Sequence, residues 1–257
     1  MKLVTFNPLR TIGIPNISYI KPLNMYKDIE KIKEADMLLF PEYWQVNSLV
    51  YGLKKKIFPS INSYHLGHNK IEMTRVLKTV CPGQIPYTEI LSNTDENRRY
   101  IMETFPLPFV AKEIKNSMGQ GVFLIQNEKE FQNYAEKVDV LYIQEYIPND
   151  RDLRICVIGN EVVTAYWRVE ETGGFHHNVA QGGKVSYDNI SDETLRLVLD
   201  VSQKLGINHA GFDVIFDNEK PYILEFNILF GNQGVPKHKV SLEQKIVEYI
   251  TRSAEIL

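Results

Sequence analysis

Apolar and polar positions follow two periods along this chain, and the switches between them mark its elements. Short apolar runs in "MKLVTFNP" and "ADMLLF" predict strands, with the helical pattern "YKDIEKIKE" between them, so the chain opens as a small α/β unit. The helical period continues in "QVNSLVYGLKKKIF"; the polar "PSINSYHLGHNK" reads as loop, and "NKIEMTRVLKTV" as an amphipathic helix stopped by Cys81-Pro82-Gly83. "PFVAKEIK" and "GVFLIQ" are then strands around the glycine-bearing loop "NSMGQG", and "NEKEFQNYAEKV" is a helix capped by Asn127. "VLYIQEYI" is a buried strand, and "DLRICVI" and "EVVTAYWRV" form a hairpin about Gly159-Asn160. Ser191 opens the helix "SDETLRLVLDVSQKLG", Gly206 closes it, and "LEQKIVEYITRSAEI" ends the chain as a helix. Strand hairpins alternating with helices predict an α+β fold (α/β lobes) with mostly antiparallel pairing.

Composition narrows the function classes. The 257 residues are 44% hydrophobic and 24% charged with a formal net charge of −3, enough to bury a sizeable core and not basic enough for non-specific nucleic-acid binding. No apolar run has spanning length and "MKLVTFNPLR" lacks a signal-peptide pattern, so the expected location is cytoplasmic, with no membrane partner. Cys81 and Cys156 stand far apart with no second thiol beside either, which removes zinc and CxxC readings.

The stretch "HAGFDVIFDNEKPYILEFNILFGNQG" raises a chemical question, because two apolar strands carry Asp213 in the first and Glu225 and Asn227 in the second. Side chains alternate across a strand, so Phe212, Val214 and Phe216 share one face and Asp213 and Ile215 the other. With "DNEKP" as the turn, Phe216 pairs with Tyr222, which sets Asp213 opposite Glu225 and Asn227 on the same face one pair further along. Like charges directly opposite destabilise a sheet unless one binds a proton or a cation lies between them. Oxygen donors of this kind suit Mg²⁺. The residues alone leave open a second reading, in which both acids sit on the solvent face of an amphipathic hairpin, and a register slip of one residue would separate them.

Mg²⁺ held by few carboxylates usually accompanies substrate phosphates. "VAKEIKNSMGQGV" offers Lys112 on a strand, then Ser117, Gly119 and Gly121 in a loop whose N–H groups suit phosphate oxygens. It is not a Walker A loop, since no G-K-[ST] follows, and a plain hairpin turn remains the alternative. "FHHNVAQGG" is a second polar, glycine-ended loop with His176, His177 and Asn178. Arg168, ending the "TAYWR" strand, is an anion ligand by geometry or a surface arginine.

Taken in order, "VAKEIKNSMGQGV", "QEYI", "DLR", "AYWRVEETGGFHHNVAQGG", "GFDVIF" and "LEFN" resemble the blocks of ATP-grasp ligases, and of their RimK-like group in particular, over roughly residues 60 to 235. The resemblance implies an ATP-grasp fold, with nucleotide held between two antiparallel-sheet lobes. A small N-terminal lobe over 1–66 would precede an ATP-grasp domain over 67–257, divided into a central lobe, roughly 67–145, and a C-terminal lobe, 146–257.

By the same resemblance, Lys70 and Lys112 touch the nucleotide phosphates, the loop from Ser117 through Gly119 to Gly121 closes over them, Glu145, Tyr146 and Ile147 form the adenine-side linker, and Asp152 lies toward the ribose. Asp213, Glu225 and Asn227 match the ligands of Mg²⁺, with Mn²⁺ as the alternative ion, and Arg168 and Asn178 match residues near the transferred phosphate. Two departures fall on the substrate side: His176 stands where the family usually has arginine, and "ILFGNQGVP" follows Asn227 in place of a Ser-Pro-Gly turn. A histidine matches arginine's charge only when protonated.

What the resemblance implies is an ATP-dependent ligase that joins a carboxylate donor to an amine acceptor, an amino acid or peptide, through an acyl-phosphate. Asp213→Asn or Glu225→Gln should then abolish amide formation and leave the fold intact. An ATP-grasp enzyme of small metabolites and a nucleotide-binding module without turnover are the alternatives, and the amphipathic C-terminal helix is a candidate homodimer face.

Overall fold

The structure is a computed structural model that describes residues 1–114, 121–169, 184–236 and 240–255. Its first unit is a four-stranded parallel sheet in the order β2-β1-β3-β4, from β1 (Leu3–Thr5), β2 (Ile17–Tyr19), β3 (Met37–Leu39) and β4 (Ile57–Phe58). Helix α1 (Ile29–Glu34) buries Ile32 against this sheet's core, together with Val4, Leu38, Val46 and Leu49.

Two expectations fail here. The segment "QVNSLVYGLKKKIF" is not one helix: α2 (Tyr43–Asn47) passes into a π turn at Ser48–Gly52, and Ile57 and Phe58 become β4. The polar "PSINSYHLGHNK" contains a helix, α3 (Ile61–Gly67), whose cap Ser60 accepts the N–H of Ser63. Polar residues of the helix and its cap hold a distant part of the chain, with Asn62 donating to the carbonyl of Leu205 at 2.9 Å and Ser60 Oγ to that of Gly206 at 2.7 Å. Ile61, Tyr64 and Leu66 give it only a short apolar face, and long-range hydrogen bonds supplement the stripe by which a sequence announces a helix.

Next in the chain come α4 (Lys70–Val80), β5 (Thr88–Ser92), α5 (Asp95–Thr104), β6 (Phe109–Lys112), β7 (Val122–Ile125), α6 (Glu128–Ala135) and β8 (Val140–Glu145). The four strands form an antiparallel sheet in the order β5-β8-β6-β7, backed by Ile101 of α5, Phe105 just beyond it and Phe131 of α6. Asn127 caps α6 as expected, accepting from Glu130 N.

The last sheet is five-stranded, β11-β10-β9-β12-β13, from β9 (Arg151–Ile158), β10 (Glu161–Val169), β11 (Lys184–Ser186), β12 (His209–Asp217) and β13 (Lys220–Asn227). Helix α7 (Asp192–Leu205) runs from its Ser191 cap to Gly206, which takes the left-handed φ of 66° that ends the helix. Leu153, Ile155 and Val157 alternate onto one face of β9 and pack with Met73 and Leu77 of α4 and Val198 and Val201 of α7. Helix α8 (Leu242–Glu255) buries Ile246 and Ile250 against Leu3, Leu39, Phe58 and Ile158, so the apolar face expected to serve a dimer is consumed within the chain. No helix among the described residues is long and apolar enough to cross a membrane.

Candidate functional site

The other face of the five-stranded sheet carries charge. Arg168 lies opposite Asp152 in the β9–β10 ladder, Arg154 opposite Asp213 in the β9–β12 ladder, and Asp213 opposite Glu225 in the β12–β13 ladder. Antiparallel partners hold their Cβ atoms ~5 Å apart, so strand pairing alone gathers these side chains into a row. Asn227 continues it, paired with Gly211.

The Asp213–Glu225 pair stands as expected, by a different route. The turn is the two residues Asn218 and Glu219, Asn218 has a φ of +54°, and Phe216 pairs with Pro221 rather than Tyr222. A β-bulge at Leu224, between the Val214–Ile223 and Asp213–Glu225 pairs, restores the register. The extra residue lets Ile223 and Phe226, three apart, both reach the core while Glu225 stays on the charged face.

Each of the two acids has its own basic partner. Arg154 Nε donates to Asp213 Oδ1 at 2.5 Å and a second nitrogen to Oδ2 at 3.1 Å, while Arg168 reaches Asp213 Oδ1 at 2.9 Å. Arg168 also grips both oxygens of Asp152, at 2.5 and 2.7 Å. Lys70, the first residue of α4, bonds Glu225 at 2.7 Å. Burial by itself would raise Asp213, but Arg154 and Arg168 together hold its carboxyl below the usual range. Asp152, with one guanidinium rather than two in contact, is raised by burial to about 6, Arg168 opposing and Asp213 adding. Burial works against the charge of Arg168, and the two carboxylates more than reverse it, so its pKa is raised.

Lys112 ends β6 as a buried ammonium 5.5 Å from the ring centre of Tyr142. Desolvation lowers it to about 8, with Glu225 and Asp213 opposing and Lys70 assisting. Beside them lies a cavity of about 440 Å³ lined by Lys70, Glu225 and Asn227, by Ile114, and by Asn7 and Tyr43 of the first unit. Its size is that of a small-ligand site.

The remaining expected residues divide by position. Gly121 begins the chain after the loop at a φ of +77°, its carbonyl accepting from Glu113 N at 2.7 Å. Glu145 ends β8 and exchanges two bonds with Tyr87, through its N–H at 2.8 Å and its carboxylate at 2.7 Å. Tyr146 is half-buried and Ile147 buried just beyond. Asp152, expected toward the ribose, has both oxygens on Arg168. Ser117, Gly119, His176 and Asn178 lie outside the described residues.

Arg154 was missed, although "DLR" places it two residues from Asp152 and so on the same face. Its partner could not be counted, because β9 and β12 share no hairpin that would fix their register.

The donor set fits Mg²⁺ in its chemistry: Asp213, Glu225 and Asn227 are hard oxygen donors on one face at neighbouring pairs. Their charge is already matched, with Asp152, Asp213 and Glu225 facing Arg154, Arg168 and Lys70. Among the described residues no group of three or more His, Cys, Asp or Glu forms a ready cage. The site therefore suits an ion that arrives with phosphate ligands of its own.

A family profile described as the RimK-like ATP-grasp domain matches residues 67–250. A probable alpha-L-glutamate ligase of Legionella pneumophila (strain Corby) is 30% identical over 178 residues, covering 66% of this chain and 59% of that protein. One of Enterobacter sp. (strain 638) is 29% identical over 177 residues, with the same coverage. The chain thus spans about 59% of the length of these curated relatives. A RimK domain ATP-grasp protein from Sphaerobacter thermophilus DSM 20745 superposes with a TM-score of 0.74 at 12% identity, over 97% of this chain and 99% of that one. The D-alanine–D-alanine ligase of Bacillus anthracis gives 0.73 at 13% identity, over 100% and 98%. These structures share the fold, and the profile covers most of the chain, charged row included: the chain belongs to the RimK-like ATP-grasp family.

Proposed function

We propose that the chain is an ATP- and Mg²⁺-dependent carboxylate–amine ligase. The observation that carries the reading is the convergence of Lys70, Lys112, Arg154 and Arg168 on a face that also holds Asp213, Glu225 and Asn227, beside a cavity of ligand size. Residues 67–257 would form the nucleotide-binding domain and 1–66 a lobe that walls the substrate side.

Asp213, Glu225 and Asn227 would hold the ion, which when bound neutralises phosphate charge. The first step joins an anion to a polyanion, so the protein's task is to supply positive potential away from water. Lys112, already desolvated, requires no reorganisation to meet a phosphate oxygen, and Lys70 can turn to one from Glu225. The donor carboxylate oxygen attacks the γ-phosphorus, the bond to ADP breaks, and an acyl-phosphate forms. The amine then attacks the acyl carbon, phosphate leaves, and the amine's proton passes to solvent or phosphate. Arg168, with Asn178, would stabilise the acyl-phosphate. Glu145 would steady the adenine side by fixing Tyr87. The name of the relatives makes L-glutamate the first amine or carboxylate to try.

The test uses a panel of amino acids and short peptides, each labelled with ¹⁸O in its carboxylates, incubated with ATP and Mg²⁺ and read by mass spectrometry. The reading requires ADP, an amide product and one ¹⁸O in the released phosphate. AMP and pyrophosphate, or ADP with no amide from any panel member, would contradict it.

A further inference from the structure

The segment after Asn227 departs from the family turn, and the structure shows what replaces it. Three successive carbonyls beyond Asn227 are held by side chains rather than by a strand partner. His209 donates from Nδ1 to the carbonyl of Ile228 at 2.6 Å, which fixes its tautomer because a carbonyl only accepts. Arg10, from the short turn Pro8–Arg10 in the first unit, donates to Leu229 at 2.8 Å and to Phe230 at 3.3 Å. The His209 ring stacks on Phe230, centroids 4.8 Å apart at 21°, and meets Phe40 and Phe58 edge-on at 5.3 and 5.4 Å.

Two features show that Arg10 is committed to this contact. Its guanidinium lies 5.9 Å from the ring centre of Phe40, and among the described residues it forms no ion pair, so its N–H groups serve backbone oxygens instead of a carboxylate. Arg10 is half-buried, and the partial desolvation of a charged group without an acid partner is unfavourable, which strong hydrogen bonds to carbonyls offset. The grip is also directional, since a planar fork spanning two adjacent carbonyls sets the direction of the chain between them.

We propose that Arg10 is a positioning residue for Asn227, so that the small first unit helps build the ion-binding end of the site as well as walling its substrate side. Asn227 is fixed before it by pairing with Gly211 and after it by the hold on residues 228–230. Releasing the Arg10 side frees the segment that determines where the Asn227 amide oxygen points. Arg10 acts entirely through the backbone and touches no reacting atom. The inference rests on the ligase reading above, in that it takes Asn227 as an ion ligand.

The experiment is a thermal-shift titration of Mg²⁺ at fixed, saturating non-hydrolysable ATP analogue, on wild type, Arg10→Ala and Arg10→Lys, with melting points also recorded without ligand. Groups that orient metal ligands typically change metal affinity by ~10–100-fold, so Arg10→Ala should need at least about tenfold more Mg²⁺ for the half-maximal effect. Its response to the analogue without Mg²⁺ should match wild type. Arg10→Lys, which keeps the charge but cannot span both carbonyls, should fall between. A lower melting point with unchanged Mg²⁺ half-saturation would overturn the proposal and leave Arg10 a packing residue. Should Arg10→Ala fail to fold, Arg10→Lys alone decides between these outcomes. A wild type that ignores Mg²⁺ would instead contradict the ligase reading.

Discussion

Asp213 and Glu225 face each other across a ladder, yet the structure gives them unequal burdens. Asp213 is buried between two guanidiniums, whereas the Glu225 side chain keeps 30% of its exposure and one lysine partner. Removing one member of a buried ion pair strands the other and typically costs ~3–5 kcal/mol, against ~0–1 kcal/mol for an exposed pair. Asp213→Asn should therefore destabilise the fold by several times as much as Glu225→Gln, measured by urea denaturation. This revises the expectation that both variants leave the fold intact, and equal losses would show that the two arginines are not the reason for the burial of Asp213. Lys112 gives a second prediction at this scale. Held near 8 by burial against its ordinary 10.5, it releases its proton more readily in the folded chain. Stability of the ligand-free protein should thus fall as pH drops from 10.5 to 8 and level off below, where both states hold the proton. A phosphate favours the ammonium, so affinity for an ATP analogue should weaken as pH rises through 8, with proton uptake on binding seen by calorimetry in two buffers. Lys112→Arg, charged throughout, should remove the weakening.

At the scale of elements, the site is made by register, and register was only partly legible. The Asp213–Glu225 pair emerged from a count that began one residue off at the turn, and the bulge at Leu224 cancelled the difference. Alternation along one strand shows which residues share a face, but a bulge leaves no mark in a single apolar run. Hairpin partners could be counted, and pairing between β9 and β12 could not, which is why Arg154 stayed hidden while Asp213 did not. Helices with apolar stripes and good caps, such as α6 and α7, were plain, whereas α3 is held by polar contacts to residues about 145 positions away. Gly211 shows how tightly the elements close. A Cβ built there would lie 2.8 Å from Phe230 Cβ and 2.9 Å from an Arg154 nitrogen, so the missing side chain admits both neighbours. Overpacking of this kind typically costs ~1–3 kcal/mol, and Gly211→Ala should lose that much stability and displace Arg154 from Asp213. A neutral Gly211→Ala would mean that the 228–230 segment shifts freely, against the clamp described above.

Across the whole molecule, the charged row is balanced before any ligand arrives. Asp152, Asp213 and Glu225 face Arg154, Arg168 and Lys70, leaving the buried Lys112 without an acid in contact among the described residues. Such a site has no excess negative charge to draw a free divalent ion, but its spare cation suits a phosphate chain that brings one. Nucleotide and Mg²⁺ should therefore bind together. The direct measurement is thermal shift of the wild type with Mg²⁺ alone, with a non-hydrolysable ATP analogue alone, and with both, repeated on Glu225→Gln. A ligand at a hundred times its dissociation constant adds about 2.7 kcal/mol of stability, well within reach of the method. No shift is expected with Mg²⁺ alone, a modest one with nucleotide alone, and a larger one with both that Glu225→Gln loses. A shift with Mg²⁺ alone would contradict the charge balance, and no shift with millimolar nucleotide and Mg²⁺ together would contradict the nucleotide site itself.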